Sequence, residues 1–116
     1  YLENQNGKLV ARKLPVEAQL SSINQFLVDD YDNDGNLDVL IAGNLFASEI
    51  ETPRNDAGHG LLLKGDGQGN FQSVSAFKSG FFVPGDVKDM QPIKTKNGDY
   101  ILAAKNNDFL QAIKLN

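Results

Sequence analysis

The sequence predicts an all-β, antiparallel fold, and three observations carry that prediction. Short runs rich in β-branched and aromatic residues recur along the chain. Clusters of glycine, asparagine and aspartate separate them. No segment holds a helical period of apolar residues over three turns.

Taken in order, Tyr1-Leu2 reads as the middle of a strand, so the chain is expected to be a mature fragment whose upstream sequence and any export signal have been removed. Lys8–Lys13 follows Asn6-Gly7, a pair that supplies the positive φ of a tight hairpin. Ile23–Asp29 and Asp38–Gly43 flank an aspartate-rich segment. Gly60–Lys64 and Phe71–Val74 are joined by the turn chemistry of Asp66-Gly67-Gln68-Gly69-Asn70. Val87–Ile93 and Asp99–Ala104 flank Asn97-Gly98, and Leu110–Lys114 closes the set. These turns make successive strands antiparallel neighbours. The connection from Leu45 to His59 holds Glu49, Glu51, Pro53, Arg54, Asn55, Asp56 and Gly58 and is longer than a hairpin needs; such loops carry function or disorder.

The chain also repeats itself at a spacing of about 62 residues. Gly7 and Leu9 fall against Gly69 and Phe71, Ile23 and Phe26 against Val87 and Met90, and Leu40-Ile41-Ala42 against Ile101-Leu102-Ala103. One module of about two repeats is expected, residues 1–59 and 60–116, each a four-stranded meander. Pro15 and Pro84-Gly85 mark the joints.

Composition narrows the function. With 116 residues the chain buries one modest core, and its 41% hydrophobic and 22% charged content is that of a folded domain. A net charge of −4, with scattered lysines, argues against a phosphate-backbone partner. No apolar run approaches the ~20 residues of a membrane span. The lack of cysteine excludes disulfides, thiolate metal sites and a cysteine nucleophile.

Asp29, Asp30, Asp32, Asp34 and Asp38 place five carboxylates within ten residues, where they repel one another unless a cation or water screens them. Counted from Asp30, carboxylates at positions one, three and five point to one centre, Gly35 permits the turn at six, the Asn36 carbonyl supplies seven and Asp38 closes at nine. Hard oxygen donors at this spacing suit calcium, and the absence of nearby His or Cys disfavours transition metals. An EF-hand is excluded, since position twelve is Ile41 and both flanks read as strands. The competing reading is a solvated Asp/Asn/Gly hairpin that binds nothing. In the second repeat Lys94, Lys96 and Asn97 take the acidic places, and ammonium groups cannot ligate a cation, so one structural calcium is expected rather than two.

The stretch from Phe26 to Asn44, built around Asp30-Tyr31-Asp32-Asn33-Asp34-Gly35-Asn36-Leu37-Asp38, resembles the FG-GAP or VCBS repeat of integrin-α-like β-propellers. Leu61 to Phe71 is similar to the hairpin that ends such a repeat. The likeness covers nearly the whole chain and is nearest to C-terminal repeats of large secreted or surface proteins of Bacteroidetes-type bacteria. It implies calcium at Asp30, Asp32, Asp34, Asn36 and Asp38, an extracellular or cell-surface location, and a non-enzymatic adhesion role toward a protein or glycan ligand. An accessory carbohydrate-binding domain, with the Glu49–His59 loop on glycan, is the alternative.

Two propeller blades cannot close a ring. Oligomerisation through exposed repeat edges, pairing of first and last strands, and closure as a small barrel or sandwich are all left open. The remaining candidates carry less. Asp66-Gly67-Gln68-Gly69-Asn70 has one carboxylate and leads into a strand, which favours a plain turn over a cation or phosphate site. His59 lacks a nucleophile motif nearby, and Glu49, Glu51 and Asp56 are too few for acid catalysis. Phe81-Phe82 is expected to pack between the repeats.

Overall fold

The Asn6-Gly7 pair takes φ values of 52° and 89° and closes a hairpin of β1 (Leu2–Gln5) and β2 (Lys8–Ala11). The computed structural model describes residues 1–115 and is all-β and antiparallel. β2 stops at Ala11 rather than Lys13, because the chain turns toward Pro15, which has no amide hydrogen for a ladder. A single 3-10 turn, Val16–Gln19, follows Pro15 and buries Ala18.

β3 (Ile23–Asp29), β4 (Asp38–Gly43), β5 (Leu61–Gly65) and β6 (Phe71–Val74) form a four-stranded meander. This sheet runs across the expected repeat boundary between residues 59 and 60, because β4 and β5 are both apolar and pair with Leu40 opposite Leu62. A one-turn helix, α1 (Ala76–Ser79), ends at Gly80 with φ 74°; four residues are too few to show a helical period. β7 (Val87–Thr95), β8 (Gly98–Lys105) and β9 (Gln111–Ile113) form the third sheet. Among the described residues β1 pairs only with β2 and β9 only with β8, so neither a barrel nor first-to-last strand pairing forms.

Alternation along the strands gives each sheet two faces. Leu40, Ala42 and Leu62 of the second sheet join Val87, Met90, Ile101, Ala103 and Ile113 of the third in one core, with Phe81 and Val83 among them. Phe81 is fully buried while Phe82 is half exposed, so the expected aromatic pair splits. The backbone turns tightly there, with Phe82 N–H donating to Gly80 O at 3.1 Å. A smaller cluster, Ala18, Ile41 and Leu63 with Leu14 and Phe71, covers part of the second sheet's other face. Tyr1 stacks edge-on against Phe71 at 5.4 Å and holds the first hairpin there.

The repetition is visible in hydrogen bonding. β3 is bulged between Ile23 and Gln25, and β7 between Val87 and Asp89. The Asn44 amide donates to Ser22 O at 2.9 Å, and Asn106 donates to Asp86 O at 2.8 Å. Val39 faces Leu63 and Leu40 faces Leu62 as Ile101 faces Ile113 and Leu102 faces Ala112. β3 and β7 are also tied directly, since Asn24 Nδ2 donates to Val87 O at 2.8 Å.

Two buried polar side chains fasten the long connection. Asn44 donates to the carbonyls of Gly58 and Gly85 at 2.7 and 2.9 Å and accepts from Gly58 N–H and the Ser21 hydroxyl. Asp86, 1% exposed, forms an ion pair with Lys88 at 2.6 Å. Burial pushes its carboxyl up, but Lys88, Asn106 and the Phe46 amide outweigh that and hold it below its ordinary value of 3.8. A depressed carboxyl contributes stability that is complete above its unfolded pKa and lost as pH falls through its folded one. Urea midpoints measured from about pH 5 to about pH 2.5 are expected to fall more steeply for the wild type than for Asp86→Asn. Parallel acid limbs would show that Asp86 does not contribute.

Candidate metal centre

The β3–β4 connection is where the sequence concentrates acid, and its backbone turns the carboxylates inward. Asn33 and Gly35 adopt φ of 60° and 88°, which lets the chain reverse within a few residues. Loop amides then fix the side chains. Asp34 N–H donates to Asp30 Oδ1 at 3.0 Å and to Asp32 Oδ1 at 3.2 Å, and Gly35 N–H donates to Asp30 Oδ2 at 2.9 Å.

Asp38 is the fixed point of the site. It opens β4, is fully buried, and accepts from Tyr31 N–H at 3.1 Å and Gly65 N–H at 2.9 Å. The second bond requires β5 to come very close, and a Cβ at Gly65 would lie 2.1 Å from Leu37 O, so glycine is needed there. Asp38 thereby joins the acidic loop to the neighbouring strand. Tyr31, packed beside it, has its phenol pushed up to about 12 by burial, then by Asp29 and Asp38.

The structure brings Asp30, Asp32 and Asp38 together, each offering an oxygen within 4.8 Å of the others. Oxygens on opposite sides of a calcium-sized ion lie about 5 Å apart, so this spread fits one coordination shell. The triad can hold a metal ion. Among the described residues it is the only set of three or more acidic or histidine side chains this close. Asp34 stands beside the triad and shares Lys64 with Asp32: it pairs with that ammonium at 2.8 Å and accepts from Asn36 N–H at 2.8 Å. Lys64 chiefly, then the Asn36 amide, holds its carboxyl below the ordinary value. Lys64 also bonds Asp32, and the two aspartates keep the ammonium protonated far above neutral pH. Asn36 and Asp34 line a shallow recess with Lys64, Asp66 and Asn70. Lys64 escaped the sequence reading because it lies 32 residues from Asp32. Only the β4–β5 pairing brings it there.

The other candidates resolve as follows. In the third sheet the equivalent connection shrinks to a tight turn, with Thr95 opposite Gly98. Asp66 is satisfied within its own turn by Gln68 N–H, Asn70 N–H and the Asn70 side chain. His59 accepts Val83 N–H through its carbonyl and lies 5.7 Å from the Phe82 ring. It borders a groove with Glu17 and Ser21, whose hydroxyl is committed to Asn44 at 2.6 Å. Glu49 and Glu51 sit at the tip of the long connection, which a Leu45–Asn55 bridge folds back on itself.

No protein-family model matches the chain, and no curated protein or solved structure matches it either.

Asp32→Ala is expected to remove most of the thermal stabilisation that a bound cation provides, about 2.7 kcal/mol at a hundredfold excess over Kd. In chelator the same change costs less than about 1 kcal/mol, the value of an exposed ion pair. Melting curves in the two buffers decide it, and equal losses would place Asp32 in the turn alone. Lys64→Met is expected to tighten cation binding roughly tenfold, since the ammonium no longer competes for Asp32. Calorimetric titration showing unchanged or weaker affinity would refute that.

Proposed function

We propose that this chain is a calcium-stabilised, non-enzymatic binding module of the FG-GAP or VCBS type, displayed outside the cell and working in adhesion to a protein or glycan. The observation that carries the reading is the Asp30, Asp32 and Asp38 cluster, ordered by loop amides and anchored by the buried end of Asp38. Its donors are all carboxylate oxygens, which favours calcium over transition metals. Asp34 and the Asn36 carbonyl are proposed to complete the shell once a cation displaces Lys64 from the loop.

The calcium acts here as a clip. It neutralises carboxylates that otherwise repel, and so holds the β3–β4 connection against β5. The non-enzymatic part of the proposal rests on where the acids lie. A general acid needs a carboxyl with raised pKa in an apolar pocket beside an ionised partner. A dication among Asp30, Asp32 and Asp38 favours their ionised form instead. Accessory carbohydrate binding is the second reading, supported by the folded Leu45–Asn55 arm with Arg54 lying 4.5 Å over the Phe46 ring.

Isothermal titration with calcium is expected to give one site per chain, filled at extracellular millimolar levels and much weaker for magnesium. No heat, or two equivalent sites, would refute the calcium reading. A glycosidase screen and a glycan array on the same sample are expected to show no turnover. Turnover abolished by Asp30→Ala or Glu51→Ala would overturn the non-enzymatic role, while glycan binding without turnover would select the carbohydrate reading.

A further inference from the structure

We infer that the cleft between the acidic loop and the β7–β8 hairpin binds a neutral hexopyranose unit of a glycan. The inference rests on the carbohydrate reading above and gives the sugar its place. The cleft measures about 370 Å³ and is lined from both sheets, a size and a position common to small-ligand sites. Asp29, Asp30, Tyr31 and Asn33 come from the end of β3 and the connection that follows it. Lys94, Asp99 and Tyr100 of the β7–β8 hairpin stand on the other side, with Lys114 just past the end of β9. Ile101 and Ile113 belong to the main core and also line the cleft, so its floor is apolar.

Charge selects the class of ligand. Three carboxylates, of Asp29, Asp30 and Asp99, share the cavity with two ammonium groups, of Lys94 and Lys114. The signs are interleaved, since Lys94 faces Asp99 directly across the hairpin. An anionic ligand would meet the carboxylates and a cationic one the lysines, whereas a hydroxyl both donates and accepts and suits either. A hexopyranose carries such hydroxyls on its edge and C–H groups on its ring faces. It matches polar walls above an apolar floor.

The polar groups of the cleft are free to take part. Among the described residues, the side chains of Tyr31, Lys94, Asp99, Tyr100 and Lys114 form no hydrogen bond or ion pair with one another or with the rest of the chain. Tyr31 is half-buried and its ring packs on the core, an environment in which a phenol hydroxyl ordinarily has a partner. One wall is also fixed in advance, because the Asp30 carboxylate is held by the Asp34 and Gly35 amides at 3.0 and 2.9 Å. Preorganisation of that kind lowers the cost of ordering a binding site.

Titration of the wild type with the methyl glycosides of glucose, galactose and mannose, followed by NMR of the isoleucine methyl groups, tests this. At least one sugar is expected to saturate with a Kd of about 1 mM, ordinary for a single small polar ligand, and to shift Ile101 and Ile113 most. Glucuronate is expected to bind at least roughly tenfold more weakly than that sugar. Lys94→Ala and Asp99→Asn, both at exposed positions, are each expected to weaken binding about tenfold, with Tyr100→Ala as a further variant. Circular dichroism melts of the same samples check that the variants are folded. A wild type that binds none of the three sugars up to about 50 mM would overturn the inference, as would tighter binding of glucuronate. A glycan array separates this from the reading beneath it. Array binding that survives Lys94→Ala and Asp99→Asn and is lost in Arg54→Ala would overturn the cleft and move the sugar to the Leu45–Asn55 arm, leaving the carbohydrate reading in place. An array on which no glycan binds would remove that reading and the inference with it.

Discussion

The packing of the second sheet on the third is the interaction on which the rest of the molecule depends. Each sheet alone would expose an apolar face, and small meanders of three or four strands have little else to stabilise them. Full burial of side chains as large as Leu40, Met90 and Phe81 contributes about 1.5–3 kcal/mol each. With that face closed, β3 and β7 lie side by side, and Asn24 and Gln25 can reach across to Val87 and Asp89. The polar links follow the apolar contact. They set the register in which the two sheets meet.

Rigidity at the acidic loop derives from the same core by a different route. β4 is buried along most of its length, so Asp38 at its start cannot move toward solvent. Its carboxylate is satisfied by amides of Tyr31 and Gly65, and burying it without those bonds would cost several kcal/mol. Asp30 and Asp32 lie on the solvent side and answer to local turn chemistry and to Lys64. The cluster therefore has one immovable member and two adaptable ones, an arrangement suited to a cation with flexible oxygen coordination.

The bulged hairpins obey one pairing scheme, yet their sequences differ where they meet different surroundings. Gln91 and Pro92 of β7 stand where β3 has Leu27 and Val28. The β7–β8 turn is shorter than the β3–β4 connection and holds no acidic cluster among the described residues.

The sequence by itself determined the all-β class, the limits of β3, β4 and β6, and the acidic loop as the one dense cluster of hard donors. Those features are local: alternation with period two, positive φ at Asn-Gly pairs and carboxylates at alternate positions all act within a few residues. Only the tertiary structure decided which sheet β5 joins, that Phe81 turns inward while Phe82 does not, that Lys64 bonds the acidic loop, and that Asn44 and Asp86 hold the long connection. Each of these depends on residues tens of positions apart being brought together by burial, which is non-directional and proportional to area, so no short pattern in the chain encodes it.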